Sequence, residues 1–521
     1  MSLAIKSRNM EQLITDWVAH HARTHPEKIA TIDLASGRRH TYARMDDRVG
    51  RVAGALLKLG VRPGDRIGLI GLNSSDVLDI IFASWRIGAV HLALNFRLTA
   101  EELGFILADA QPSLMIADSA FSELVSALSA DLPETRWIGT DGLGGPSDLE
   151  QLIDQSDPVV VEATRLPDDQ AMLMYSSGTT GSPKGVILTH GNVLAAVINE
   201  AINLQLDRNM VSYAVMPLFH IGALMGFSLP AIFFGATAVI ERVFDPGTML
   251  KTLSDADLGV THFLGVPAIY NAIAQHPQSA DADFSRIIIA AGGAEPMPEP
   301  LLLTWYERGI SIVEVYGMTE VCGLGCSLMK EDIPEKIGSA GKATLLTDIK
   351  IMKSPEEPAE PGEQGEVWMR GANVSPGYWQ RPEANQEAFV DGWLRSGDIG
   401  RMDAQGYIYI EDRIKDMYIS GGENVYPAEV ESVLHQLAEI SEVAVVGLPD
   451  PVWGETGYAV VVLGPGETLE LATLQKHCAQ HLATFKHPQR LIIRDELPRN
   501  ATGKVLKFKL RESLLSGGEH G

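Results

Sequence analysis

YSSGTTGSPKGVILTH, Tyr175 to His190, crowds Ser, Thr and Gly ahead of a single lysine and then turns apolar. Glycine is conformationally permissive, and Ser and Thr compete for backbone hydrogen bonds, so its first half makes a poor helix and a poor strand. What it offers is exposed N–H groups, hydroxyls and one cation, a set suited to phosphate. It is not a Walker A loop. That pattern places Lys between Gly and a hydroxyl residue, whereas Lys184 follows Pro183. TGKV, Thr502 to Val505, fails as well, because Val505 stands where the magnesium-holding hydroxyl belongs. P-loop and kinase-style phosphoryl transfer therefore lack their parts.

Outward from this stretch the chain alternates helix and strand. TYARMDDRVGRVAGALLKLG, residues 41–60, sets Met45, Val49, Val52, Leu56 and Leu59 at helical spacing and closes on Gly60. RPGDRIGLIGLNS reads as a turn and a buried strand, and VLDIIFASWRIGAVHLALN as a helix feeding another strand. DADFSRIIIAAGGAEPMP and ISIVEVYGMTE each carry a short apolar run into a Gly-rich loop, as buried parallel strands do where open sheets bind ligands. The fold class expected is α/β: doubly wound α/β subdomains with motif loops converging on one crevice. From SPEEPAEPGEQGEVWMRG onward Pro, Glu and Gly mark a small β region, and a separate smaller unit begins near DRIKDMYISGGENVYPAEVE.

The length of 521 residues calls for more than one domain. A formal net charge of -25 argues against a nucleic-acid partner and against anionic lipid. Cys322, Cys326 and Cys478 are too few for a disulfide framework, and the first two lack the partners of a metal site. The N-terminus has no apolar core of signal-peptide length, so a cytoplasmic protein is expected. Ile221 to Ile240 is uncharged and long enough to span a bilayer. Pro230 and three glycines interrupt it, so it reads as a buried helix or channel wall and no transmembrane segment is expected.

Further motifs follow in order: GGAE at Gly292–Glu295, YGMTE at Tyr316–Glu320, SGDIG with Asp398, DRIKD with Arg413, and PRNATGK ending on Lys504. The series resembles the adenylate-forming superfamily, which includes acyl-CoA synthetases, amino-acid adenylation domains and beetle luciferases. The resemblance implies a phosphate loop of Ser176, Ser177, Gly178, Thr179, Thr180, Gly181 and Lys184, with Lys184 exposed on a mobile loop. It implies nucleotide contacts from Gly293, Ala294, Glu295, Tyr316, Gly317, Met318 and Thr319, a ribose contact from Asp398, and Arg413 beside the hinge. Glu320 with Thr179 would hold magnesium, and Lys504 would be the catalytic lysine. The implied domains are an AMP-binding body, residues 1–414, and a small mobile α+β cap, residues 415–521, hinged near Lys415.

The chemistry suits these residue types. A carboxylate is a poor acyl donor until it is joined to the α-phosphate of ATP, which makes AMP the leaving group. That step crowds anions, so charge must be offset in the transition state. Lys486 to Arg511 carries eight Lys/Arg against two acids in an otherwise acidic chain. It reads either as a solvated helix face or, as preferred here, as the tip that closes over nucleotide and thiol. Tyr316 reads as an adenine contact, with plain core packing as the alternative.

Within the superfamily, MPLFHIGAL has His220 after Phe219 and lacks the Asp that pairs a substrate ammonium. LGGPSDL, Leu143 to Leu149, carries Pro146 where a carrier-protein attachment motif has His or Asp. A CoA ligase is expected, using ATP, Mg2+ and coenzyme A. SGGENVYPAEVE resembles the loop bordering the pantetheine tunnel and contributes Ser420, Gly421, Gly422 and Glu423 beside Lys415. Trp453, Phe485 and Arg490 are offered to CoA. Ile221, Gly222, Leu224 and Gly226 are expected to line the acyl pocket, with His220 steering the reacting carboxylate, contacting an aromatic ring, or standing as a satisfied core histidine. The expected substrate is a hydrophobic acid of medium- to long-chain fatty type. An aromatic or phenylpropenoic acid stands second, and a non-CoA adenylating enzyme remains open, as does a homodimer.

Overall fold

The computed structural model describes residues 15–132, 135–160, 165–176, 183–294, 297–333, 335–413, 416–420, 423–450, 453–499 and 505–516. The long helix Tyr42–Lys58 begins where the Thr41 hydroxyl accepts the Arg44 N–H. Its Met45, Val49, Val52 and Leu56 are all buried, and Gly60 at φ +90° ends the turn after it. The chain then enters the buried strand Arg66–Ile70. This alternation builds two sheets.

In the nine-stranded sheet, Ile29–Asp33, Thr237–Ile240, Val211–Ala214, His262–Gly265, Ile289–Gly292 and Ile312–Tyr316 run parallel, with short antiparallel strands at both edges. The six-stranded sheet orders Arg136–Thr140, Leu114–Asp118, Arg66–Ile70, Val90–Ala93 and Gln170–Ser176 in parallel and adds Lys184–Thr189 antiparallel at its end. One apolar cluster runs through both sheets and the helices that cover them. Strands that end at Ala214, Gly265, Gly292 and Tyr316 release their loops on one side, where open α/β sheets place ligands.

An antiparallel sheet follows, built on Thr347–Ser354, Gln364–Gly371, Trp393–Met402 and Ile408–Arg413. A five-stranded sheet uses only strands from Tyr418 onward, among them Ile440–Asp450 paired antiparallel with Gly454–Leu463. This is the smaller C-terminal domain, and it has its own core around Tyr418, Val445 and Val461.

The uncharged run from Ile221 is not one helix. It breaks into Ile221–Ala223, a wide turn Leu224–Ser228 and Leu229–Phe233, then continues as the strand Thr237–Ile240. Phe227 sits at φ +86°, a conformation costly for a bulky residue, and it kinks the segment. Among the described residues, no helix is long and apolar enough to cross a membrane.

Candidate active site

The opening stretch forms a hairpin. Gln170–Ser176 pairs antiparallel with Lys184–Thr189, and Ser176 stands opposite Lys184 at its mouth. Ser177, Gly178, Thr179, Thr180 and Gly181 lie outside the described residues. Lys184 is not on an exposed loop, as the sequence suggests. It is the first residue of the strand, half-buried, with its Nζ 5.2 Å from the centre of the Tyr378 ring.

Glu320 reaches this mouth from the far sheet. The strand Ile312–Tyr316 ends, Gly317 and Met318 turn the chain, and a short 3-10 turn Thr319–Val321 presents the carboxylate. Its Oε1 accepts from the Tyr378 hydroxyl at 3.1 Å and lies 3.5 Å from Ser176 Oγ, while the Ser375 N–H holds its backbone carbonyl. A carboxylate flanked by hydroxyls suits magnesium, which takes one or two carboxylates and fills its octahedron with phosphate and water oxygens. Glu320 is the described residue that would hold the ion; Thr179 lies outside the described residues.

Tyr378 is absent from the sequence reading. It comes from SPGYW, where the Gly377 carbonyl accepts the Ile187 N–H, the Trp379 N–H donates to the Gly185 carbonyl, and the Ser375 hydroxyl donates to the Ile187 carbonyl. This loop clamps the edge of the hairpin. Burial and the neighbouring Glu320 push the Tyr378 phenol well above its ordinary range, so it stays a donor.

Tyr316 is tied down through its hydroxyl and does more than pack. Its hydroxyl donates to Asp398 Oδ2 at 2.7 Å, and burial raises its phenol further out of range. Asp398 is 4% exposed on the strand Trp393–Met402, opposite Arg413 in the ladder, and its N–H donates to Ser396 Oγ. One carboxylate oxygen is therefore engaged from within, which orients the other. Gly293 and Ala294 follow the strand Ile289–Gly292, with Ala294 at φ +67°; Glu295 lies outside the described residues. Gly317 is fixed by close approach, since a Cβ there would stand 1.6 Å from the Gly323 carbonyl oxygen.

The acyl segment needs one correction. Leu224 is fully buried in the core, and Ile221 is nearly so, whereas Gly222 and Gly226 are half-buried, one turn apart, and face Leu264. His220 packs its ring on Phe219 with centroids 4.4 Å apart, and its Nε2 has no hydrogen-bond partner among the described residues. Among the described residues, its hydrogen-bonding capacity is thus not fully met. Burial, with a smaller push from Arg97, lowers its pKa to about 3, so the ring is neutral near neutral pH.

In the small domain Ser420 is buried, and Phe485 packs half-buried on the core instead of standing free. The Trp453 N–H donates to Asp450, and Arg490 is exposed at a strand start. Lys415, Gly421, Gly422 and Lys504 lie outside the described residues, as do the side chains of Arg413 and Glu423. The basic tract is partly neutralised within its own domain: Lys486 pairs with Glu429, Lys507 with Glu431, Arg499 with Glu442 and Arg511 with Glu455.

Residues 18–379 match the model of the AMP-binding enzyme family, and residues 429–504 match the AMP-binding enzyme C-terminal domain. The chain belongs to the AMP-binding enzymes. It is 39% identical to a feruloyl-CoA synthase of Amycolatopsis sp over 96% of this chain and 99% of that one. It is 38% identical to a long-chain-fatty-acid–CoA ligase of Mycobacterium tuberculosis over 94% and 96%. An o-succinylbenzoate CoA synthetase of Bacillus subtilis, solved with ATP and magnesium, superposes with TM-score 0.85 at 32% identity, covering 95% of this chain and 99% of that chain. This AMP-binding enzyme is accordingly an ATP-dependent, AMP-forming acid–CoA ligase, and ATP, Mg2+ and CoA are the cofactors of its family.

Proposed function

We propose that the acid is a hydrophobic monocarboxylic acid whose body lies along Gly222, Gly226 and Leu264 and whose carboxylate end approaches His220. The observation that carries this reading is the wall itself. It is apolar from Ile221 to Phe233 at every position but Ser228, with two side-chain-free positions facing Leu264, and the adjoining His220 Nε2 has no hydrogen-bond partner among the described residues. Such a wall fits an alkyl chain of medium length or longer. The aromatic ladder beside it favours an aryl or phenylpropenoic acid as the second reading: Phe121 stacks on Phe96 at 4.8 Å, and Phe96 meets Phe219 edge-on at 5.0 Å.

In this reading a carboxylate oxygen attacks the α-phosphorus of ATP and pyrophosphate leaves. Lys504 neutralises charge on both reacting groups, while Glu320 and Thr179 would hold a magnesium ion, which would supply positive charge against the phosphates. Asp398 receives the ribose hydroxyls. Rotation of residues 415–521 about Lys415 then brings the segment Ser420–Glu423 to the site, with Trp453 and Arg490 toward CoA. The CoA thiolate attacks the acyl carbon, and AMP leaves.

The test is pyrophosphate release across alkyl acids from hexanoate to palmitate and across cinnamates, with and without CoA. Turnover of these acids with CoA-dependent thioester formation supports the reading. Turnover confined to short polar acids or amino acids overturns it.

A further inference from the structure

One carboxyl behind the acyl wall has no role in the scheme above. Glu200 lies on the helix His190–Asn203 and is 3% exposed. Its helix neighbours are satisfied: Asn199 donates to Thr347 Oγ1 at 3.1 Å and accepts the Leu346 N–H, and Asn203 donates to Ser327 Oγ at 2.8 Å. Glu200 Oε2, by contrast, is buried with no hydrogen-bond partner among the described residues.

Its surroundings locate it. Gly323, three residues beyond Glu320 and at φ +105°, marks the spot: a Cβ there would lie 3.1 Å from Met225 Cβ and 3.6 Å from Glu200 Oε1. Met225 sits between Leu224 and Gly226, so one point on the loop that carries Glu320 faces both the acyl segment and the Glu200 carboxyl. We infer that Glu200 is a specificity-determining residue at the distal end of the acyl site, where it hydrogen-bonds an uncharged polar substituent, such as a hydroxyl or ether oxygen, on the far end of the acid. This inference rests on the hydrophobic-acid reading and deepens it toward a substituted aryl acid.

Burial holds the Glu200 carboxyl well above its ordinary range, which favours its protonated form. A protonated carboxyl has one O–H donor and an accepting oxygen, which complements a phenolic hydroxyl in either sense. An apolar pocket discriminates weakly against a missing or extra group. A buried polar atom discriminates more sharply, because an acid without the matching substituent leaves it unpaired.

The experiment compares 4-hydroxycinnamate, cinnamate and octanoate as substrates of the full chain with ATP, Mg2+ and CoA, for the natural sequence and for Glu200→Leu and Glu200→Gln. For the natural sequence, kcat/KM for 4-hydroxycinnamate should exceed that for cinnamate by about tenfold, carried by KM. Glu200→Leu should bring that ratio near one, and Glu200→Gln, which keeps a neutral donor, should preserve most of it. A ratio near one for the natural sequence overturns the inference while leaving the hydrophobic-acid reading intact, since both acids still react. An unchanged ratio in Glu200→Leu, even with a raised melting temperature, shows a purely structural carboxyl and overturns it too. If none of the three acids reacts, the hydrophobic-acid reading falls and takes this inference with it.

Discussion

Tyr378 and Glu320 show how one hydrogen bond ties the carboxylate proposed to hold magnesium to the body. The phenol reaches Glu320 Oε1 across 58 residues of sequence, so no local pattern announces the pair. Glu320 was legible because it closes YGMTE; Tyr378 was not, because its role depends on the loop Ser375–Trp379 clamping the Lys184–Thr189 strand. A hydrogen bond to a charged group contributes about 1.5–3 kcal/mol. Tyr378→Phe should therefore lower adenylation kcat/KM by about tenfold or more and raise the magnesium concentration at half-saturation, both read from pyrophosphate release in a magnesium titration. Glu320→Gln should weaken the magnesium requirement more sharply. An unmoved titration in both variants would remove this carboxylate from the metal site. Lys504→Ala should block adenylate formation yet still convert a supplied acyl-adenylate to thioester, and equal loss of both steps would contradict a lysine that serves one half-reaction.

The strand-to-turn junction at Gly317 carries the same carboxylate at the scale of an element. The loop Gly317–Gly325 folds back on itself, and the Gly325 N–H donates to the Tyr316 carbonyl at 2.9 Å. A methyl at Gly317 would collide with backbone, which cannot swing away as a side chain can. Gly317→Ala should cost roughly 2–3 kcal/mol in chemical denaturation and abolish most pyrophosphate release. Gly60→Ala, with open space around the added methyl, should leave pyrophosphate release intact. Retained release in Gly317→Ala would show that this turn does not set the Glu320 position. The parallel strands Ile289–Gly292 and Ile312–Tyr316 were readable as apolar runs ending in glycine. The broken course of Ile221–Phe233 was not, because twenty uncharged residues carry no period that marks the kink at Phe227.

Across the whole molecule, buried ionisable groups set two opposed slopes of stability against pH. His91 and His190 are held to about 3 by burial, with Arg165 adding to the effect at His190. Below the ordinary histidine value of 6.5 the unfolded chain binds protons that the folded chain refuses, so stability falls as pH drops from 6.5 toward 3. Glu314 runs the other way. Burial lifts it to about 8 against an ordinary 4.5, so the folded chain keeps a proton that the unfolded chain has lost, and stability falls as pH rises from 4.5 to 8. Glu200 adds to that limb. Each fully shifted group contributes a slope of at most about 1.4 kcal/mol per pH unit. Maximum stability of the N-terminal body is therefore expected in weakly acidic solution, between the two limbs. Urea midpoints from pH 4 to pH 8.5 check it: His91→Leu should flatten the acid limb alone, and Glu314→Gln the alkaline limb alone. His91 is suited to the exchange because its Nδ1 has no partner among the described residues and it is buried on the strand Val90–Ala93, flanked by Arg66–Ile70 and Gln170–Ser176. A midpoint that stays level over that range, or two variants that shift both limbs alike, would mean that these groups titrate together through a looser interior than the packed sheets describe.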